Sequence, residues 1–189
     1  MNKSTRLTLF CRGATTANRE LRLTSEGPLE PEQSEKLVQC LREIRHADKV
    51  FSAPEASCIE TAHALSAQPE ICPAFRDVDY GRWKSLALHD LMESEPDAVS
   101  AWLGDPAAAP HGGESLVDAG ARISDWLSSH IDHGGHCLVV THPTIIKLAI
   151  LGVLSAPLAS TDRIDVDFAS ATYLNSNGLR WSLRLRKPV

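Results

Sequence analysis

Cys137-Leu138-Val139-Val140-Thr141-His142-Pro143 is the stretch on which the fold turns. Residues 137–141 carry no charge and read as a strand buried on both faces of a sheet. His142 and Pro143 then stand where a helix begins, and residues 144–154 continue as a buried helix interrupted only by Lys147. Strand, polar end, apolar helix is the repeating unit of a parallel sheet. Working outward, the unit recurs. Residues 6–11 (RLTLFC) form a strand that ends in a turn at Gly13, and residues 49–52 (KVFS) form another. Pro54 is placed to open a helix as its first residue, and residues 58–65 carry that helix on. Residues 32–44 place Leu37, Val38, Leu41 and Ile44 at helical spacing.

Further along, residues 69–74 suit a short strand. Residues 77–114 are rich in Pro, Gly and acidic side chains and read as a lid-like insertion. One or two helices are expected there around 86–102, with residues 105–113 closing the segment. Residues 116–131 form an amphipathic helix through Val117, Ile123, Trp126 and Leu127. Residues 171–174 and 180–185 flank Asn177-Gly178 and read as a terminal hairpin. The expectation is an α/β protein: a mostly parallel central sheet with helices on both faces, in three layers, forming a single domain over 1–189.

Composition narrows the function. The chain has 189 residues, 43% of them hydrophobic and 23% charged, as a soluble globular domain has. Nineteen basic residues against 24 acidic ones leave a net charge of −5, which argues against nucleic acid as a partner. Five cysteines without a Cys-x-x-Cys pair fit a reducing compartment. No long apolar run opens the chain, and residues 145–154 are too short to span a bilayer. A cytoplasmic protein without a membrane partner is expected. His46, His63, His89, His111, His130, His133 and His136 show no metal-ligand spacing. His130, His133 and His136 read as solvated, and no metal or cofactor is expected. Trp83, Trp102, Trp126 and Trp181 read as core or lid packing.

In open α/β sheets ligands lie beyond the carboxyl ends of the strands. Three such ends matter: Cys11-Arg12-Gly13, Ser52-Ala53-Pro54 and Thr141-His142-Pro143. His142 at a helix N-terminus suits an anion, and its ring can donate to a phosphate oxygen. Arg12 supplies a fork that matches phosphate or carboxylate. Gly13 lets the backbone approach closely, while Thr15 and Asn18 offer neutral hydrogen-bond groups. Cys11 and Cys58 fall at the rim of the same crevice, where Arg12 could activate a thiolate. A small buried apolar side chain is the commoner role for such cysteines.

These residues sit in five ordered motifs spanning residues 7–148. Leu9-Phe10-Cys11-Arg12-Gly13-Ala14-Thr15, with Asn18 beyond it, is the first. Ser52-Ala53-Pro54-Glu55-Ala56-Ser57-Cys58-Ile59-Glu60-Thr61-Ala62 is the second. Asp77-Val78-Asp79-Tyr80-Gly81-Arg82-Trp83 follows, then Gly112-Gly113-Glu114-Ser115 with Arg122, and finally Val139-Val140-Thr141-His142. Together they resemble the histidine phosphatase superfamily in its phosphoglycerate-mutase-like branch. The resemblance implies that family's fold. It also implies a two-step reaction, in which a neutral histidine attacks phosphorus and water or a second acceptor takes the phosphoryl group. Two arginines and a second histidine would hold the oxygens, and a carboxylic acid would protonate the leaving group.

This chain departs from that pattern at its centre. Arg12 stands at the nucleophile position and has no lone pair with which to attack. Cys11 and Ser57 stand at the two clamp-arginine positions, and Asp77 replaces the glutamic acid. His142 is the second histidine. Losing one transition-state donor costs about 3 kcal/mol, so nearly all family-type activity should be lost. The expectation is a pseudoenzyme that keeps an anion pocket for a small phosphorylated or carboxylated molecule. His142, Asp77 and Arg12 are the candidate catalytic residues. Arg12, Gly13, Thr15, Asn18, Ser57 and Cys11 are the candidate binding residues. One alternative is an active phosphomonoester hydrolase that uses His142 and Arg12 in another arrangement. A second is a non-catalytic interaction domain with a protein partner or a second copy of the chain.

Overall fold

The computed structural model describes residues 3–23, 27–30, 32–33, 37, 47–63 and 68–185. Strand β1 (Thr5–Cys11) is followed by a single turn of helix, α1 (Thr16–Arg19). Strand β2 (Lys49–Ser52), helix α2 (Ala56–His63) and the short strand β3 (Glu70–Ile71) come next. Helices α3 (Leu88–Ser94) and α4 (Pro96–Gly104) lie within the 77–114 segment. Helix α5 (Leu116–Ser129), strand β4 (Gly135–Thr141) and helix α6 (Pro143–Leu154) complete the α/β part. Strands β5 (Ala171–Ser176) and β6 (Trp181–Arg184) form the hairpin.

The six strands make one sheet in the order β3-β2-β4-β1-β5-β6. The first four are mutually parallel, and β5 runs antiparallel to β1 and β6. Central strands must be apolar on both faces because helices cover both. Leu7, Leu9, Phe10 and residues 138–140 are accordingly buried. Helix α6 is apolar almost all round and buries Ile145, Ile146, Leu148, Ala149, Ile150 and Leu151. Burying each large aliphatic side chain contributes about 1.5–3 kcal/mol. Helix α5 is amphipathic, burying Ala119, Ile123 and Leu127. It is started by a capping box: Ser115 Oγ accepts from the Asp118 amide at 3.1 Å, and the Asp118 carboxylate accepts from the Ser115 amide at 3.3 Å.

Register positions the site. Cys11 is paired with Thr141 across β1 and β4, so Arg12 and His142 leave adjacent strands at the same level. The ladder continues one step further through Arg12 N–H to Thr141 O at 3.0 Å, and Ala53 N–H to Val140 O at 2.9 Å brings in the β2 end.

Several expectations change. Helix α2 begins at Ala56 instead of Pro54. The Glu55 carbonyl accepts from the amides of Cys58 and Ile59, leaving the Glu55 side chain free of the helix and beside the β4 end. The strand expected over 69–74 ends at Ile71, and Pro73, which has no N–H for a ladder, opens a 3-10 turn through Phe75. The terminal hairpin is found with longer first and shorter second strands than expected and a loop over 177–180, in which Asn177 Oδ1 accepts from the amides of both Leu179 and Arg180. His136 is not solvated: it is buried on β4, with Nε2 2.8 Å from Thr8 Oγ1. The helix expected over 32–44 falls mostly outside the described residues.

The 77–114 segment has a small core of its own. Trp83, Leu91 and Val99 are buried together, with Tyr80, Leu88 and Trp102 packed against them. Its two ends are stitched backbone to backbone. A Cβ on Gly113 would lie 2.1 Å from the Asp79 carbonyl oxygen, so only glycine permits that approach.

Candidate functional site

Arg12 and His142 meet where the register puts them. Arg12 is among the largest wholly buried side chains, although it carries a charge. Its Nε–H donates to His142 Nδ1 at 3.1 Å. Its Nη1 donates to the Gly13 carbonyl at 2.8 Å and to Asn18 Oδ1 at 3.0 Å. Its guanidinium lies 5.4 Å from the centre of the Phe168 ring, on the face that attracts a cation. Asn18 Oδ1 also accepts from the amide and hydroxyl of Thr15, so Thr15 and Asn18 hold the turn that fixes Arg12. Gly13 is tightly surrounded too: a Cβ there would come within 3.1 Å of Leu29 Cδ2 and 3.3 Å of Gln33 Cβ.

Two carboxylates face the same imidazole. Glu55 Oε2 lies 2.8 Å from His142 Nε2, and Asp77 Oδ2 lies 3.5 Å from Nδ1. The two acids are themselves connected, because the Asp77 amide donates to Glu55 Oε1 at 3.0 Å. Asp77 is held from behind. Arg122 donates to the carbonyls of Arg76 and Asp77 at 2.9 and 3.2 Å and to Glu114 at 2.8 Å. This explains the Gly-Gly-Glu-Ser element and its following arginine: they anchor the Asp77 strap and do not touch His142.

Burial opposes charge on the His142 ring, but Asp77, Cys58 and Glu55 outweigh it and raise its pKa to about 10. Arg12 pulls the other way, since its Nε–H needs a lone pair on Nδ1 and so favours a ring carrying its proton on Nε2, toward Glu55. Burial likewise works to raise the Glu55 pKa, and the hydrogen bond and charge of His142 reverse it, leaving Glu55 below its ordinary value.

The cysteines take the commoner of the two roles open to them. Cys11 and Cys58 are both wholly buried and not at a rim, because the sheet is covered on both faces up to its strand ends. Burial pushes the Cys11 thiol up to about 12, overriding the Arg12 charge, so Cys11 stays protonated. Cys58 Sγ lies 3.3 Å from His142 Nε2. Ser57 is buried on α2, where its carbonyl accepts from Thr61 Oγ1 at 2.7 Å. The structure thus brings Arg12, Asp77 and His142 together and leaves Cys11 in the core.

Sequence reasoning missed Glu55. The signal was present, since Glu55 directly follows the Ser52-Ala53-Pro54 strand end already singled out, but its motif position carries no assigned role. Glu55, Cys58 and His142 also offer a carboxylate oxygen, a sulfur and a ring nitrogen within 4.8 Å of one another, which is a possible metal-ligand group. Beside Phe168 a cavity of about 470 Å³ is lined by Gln33, Asp167, Phe168, Ala169 and Ser170. Among the described residues no helix is long and apolar enough to cross a membrane.

A family model for the histidine phosphatase superfamily (branch 1) matches residues 7–187. A bifunctional protein of Mycobacterium tuberculosis is 29% identical over 116 residues, 60% of this chain but only 32% of its own length. The chain therefore spans about a third of the first curated relatives that it matches. The adenosylcobalamin/alpha-ribazole phosphatase of Escherichia coli is 26% identical over 125 residues, 58% of this chain and 62% of the relative. Phosphoserine phosphatase 1 of Hydrogenobacter thermophilus is 26% identical over 144 residues, 68% of each chain. Among solved structures, a mycobacterial glucosyl-3-phosphoglycerate phosphatase superposes with a TM-score of 0.83 at 22% identity, covering 96% of this chain and 97% of that one. The same enzyme has been solved with inorganic phosphate. At these identities the superpositions speak for the shared fold.

Proposed function

Since this chain belongs to the histidine phosphatase superfamily (branch 1), we propose that it is a catalytically impaired member whose crevice no longer passes a phosphoryl group through histidine. One observation carries the reading. The nucleophile position holds the buried Arg12 guanidinium, and both nitrogens of the remaining His142 are already engaged, Nδ1 by Arg12 and Nε2 by Glu55. Protonated guanidinium cannot attack phosphorus. Phosphoryl transfer depends on positioned cations around the equatorial oxygens. Here His142 faces two carboxylates of the chain itself, Glu55 and Asp77, and the Arg12 guanidinium is spent on His142, Gly13 and Asn18. A phosphate or carboxylate ligand would have to displace Glu55 from His142, so the anion pocket is self-occupied and binding of inorganic phosphate is weak.

Turnover of an aryl phosphate at neutral pH tests this. The wild type is expected to stay below ~1 per second, the low end of ordinary enzyme rates. Arg12→His alone should restore little. The triple change Cys11→Arg, Arg12→His and Ser57→Arg should restore more than the product of its parts, because groups that act as a unit are non-additive. Wild-type turnover above ~1 per second that disappears in His142→Ala would overturn the reading in favour of an active hydrolase built on His142.

A further inference from the structure

We propose that Glu55, Cys58 and His142 form a binding site for one divalent cation of the zinc class beneath the crevice. The proposal goes beyond the loss of phosphoryl transfer and does not depend on it. The three donors are a carboxylate oxygen, a sulfur and an imidazole nitrogen, the ligand types that zinc takes in proteins. They lie within 4.8 Å of one another. His142 Nε2 is 2.8 Å from Glu55 Oε2 and 3.3 Å from Cys58 Sγ. Tetrahedral zinc with bonds of about 2.0–2.3 Å holds such ligands about 3.3–3.6 Å apart. The sulfur–nitrogen spacing is close to that already, and the oxygen–nitrogen spacing must open by about half an ångström.

The scaffold favours such a site. Glu55 directly precedes α2 and Cys58 lies in its first turn, three residues on, and both reach the His142 ring. His142 comes from the β4 end and is locked by burial. Metal-bound histidines characteristically present their second ring N–H to a carboxylate. Asp77 Oδ2, 3.5 Å from Nδ1, stands in that place and is itself fixed by the Arg122 bonds to its backbone. Charge is also balanced. The dication and Arg12 offset the Cys58 thiolate, Glu55 and Asp77, so the buried cluster is neutral when loaded. As the metal–sulfur bond forms the thiol S–H bond breaks, and as the metal–nitrogen bond forms the Nε2–H bond of His142 breaks, and both protons leave to solvent. His142 binds through the Nε2 lone pair with its remaining proton on Nδ1. Arg12 then gives up Nδ1 and keeps its bonds to Gly13 and Asn18. Glu55, the one of the three with appreciable exposure, marks the way in. A fourth position is left for water.

Metal-free protein titrated with cobalt(II) tests the site through its spectrum, with no substrate present. One equivalent should produce thiolate-to-cobalt charge-transfer absorption, and zinc should displace it. The band should vanish in Cys58→Ser. Glu55→Gln should weaken zinc binding by more than the ~10–100-fold typical of losing an outer partner. Asp77→Asn should weaken it by about that outer-partner amount. Circular dichroism checks that each variant is folded, and Glu55→Gln keeps the side-chain shape should Cys58→Ser unfold. Absence of the charge-transfer band in the wild type, its survival in folded Cys58→Ser, or unchanged zinc affinity in Glu55→Gln would overturn the site. High phosphatase turnover would overturn the impaired reading and leave this one standing.

Discussion

Two buried histidines meet opposite surroundings in this molecule. His142 sits at the β4 end between Glu55, Asp77, Cys58 and Arg12, and the acids hold its pKa well above the ordinary value. His111 sits in the 77–114 segment among the rings of Tyr80 and Trp83, 6.0 and 5.3 Å away. Its Nδ1 accepts from the Gly113 amide at 3.0 Å, so its proton is on Nε2, which is buried without a hydrogen-bond partner among the described residues. Burial lowers the His111 pKa, with Asp79 pulling it up and Arg82 pushing it down. The same residue type thus has its pKa raised in one place and lowered in the other. The difference is whether a carboxylate lies within hydrogen-bond reach, because a buried imidazolium needs a partner that burial alone does not supply.

The largest expected effect comes from breaking the aromatic side of the comparison. Trp83→Ala empties the cluster shared with Trp102, His111, Leu91 and Val99. It should cost about 3–5 kcal/mol in denaturant unfolding. If instead the midpoint moves by less than about 1 kcal/mol, that cluster contributes no stable packing.

His142→Gln should cost less, about 1.5–3 kcal/mol at neutral pH, the range for hydrogen bonds to charged groups. Its pH dependence is more telling than its size. The His142 pKa is raised, so the wild-type advantage is fully present below the unfolded value of 6.5 and is lost as pH rises through about 10. The lowered Glu55 pKa adds an acid limb: that part is present above 4.5 and lost as pH falls through the lowered value. For His111 the sign reverses, with stability present above 6.5 and lost as pH falls through its depressed pKa. Histidine ring NMR across pH 4–11 separates the two directly. Both rings titrating together near the ordinary value of 6.5 would erase the contrast.

The smallest effect sharpens it. His111→Phe keeps a ring in the cluster and removes both the acceptor for the Gly113 amide and the Nε2–H that has no partner among the described residues. A loss of about 1 kcal/mol is expected, one ordinary hydrogen bond. It should leave the His142 titration unmoved. Movement of His142 in this variant would mean that the two regions are coupled through the strap that carries Asp77.

Much of this is legible in the amino-acid sequence alone. The strand over 137–141 reads from its uninterrupted apolar run, and the carboxyl-end crevice follows from strands alternating with helices. The convergence of Arg12 and His142 follows from their common position just past two strands. Glu55 was not legible, because nothing local tells a solvated glutamate at a helix start from one turned inward onto a histidine. Whether Cys58 lines the rim or packs in the core, as it does, is not decided by one-dimensional spacing, which does not report how far a second layer of helices covers the strand ends. His136 reads as part of a polar loop in sequence and is a buried strand residue in the fold, because β4 begins at Gly135 and its first inward position already meets Thr8.

The sequence by itself determined most of the described elements and their α/β alternation, because these depend on local periodicity. Only the tertiary structure decided the strand order, with β1 between β4 and β5, and the charge state of the crevice. Register across neighbouring strands is a long-range property, so the facing of His142 by Glu55 and Asp77 exists only once residues 55, 77 and 142 are brought together. Electrostatics inside a protein depends on such distances and on the exclusion of water, and neither is written in any one segment of the chain.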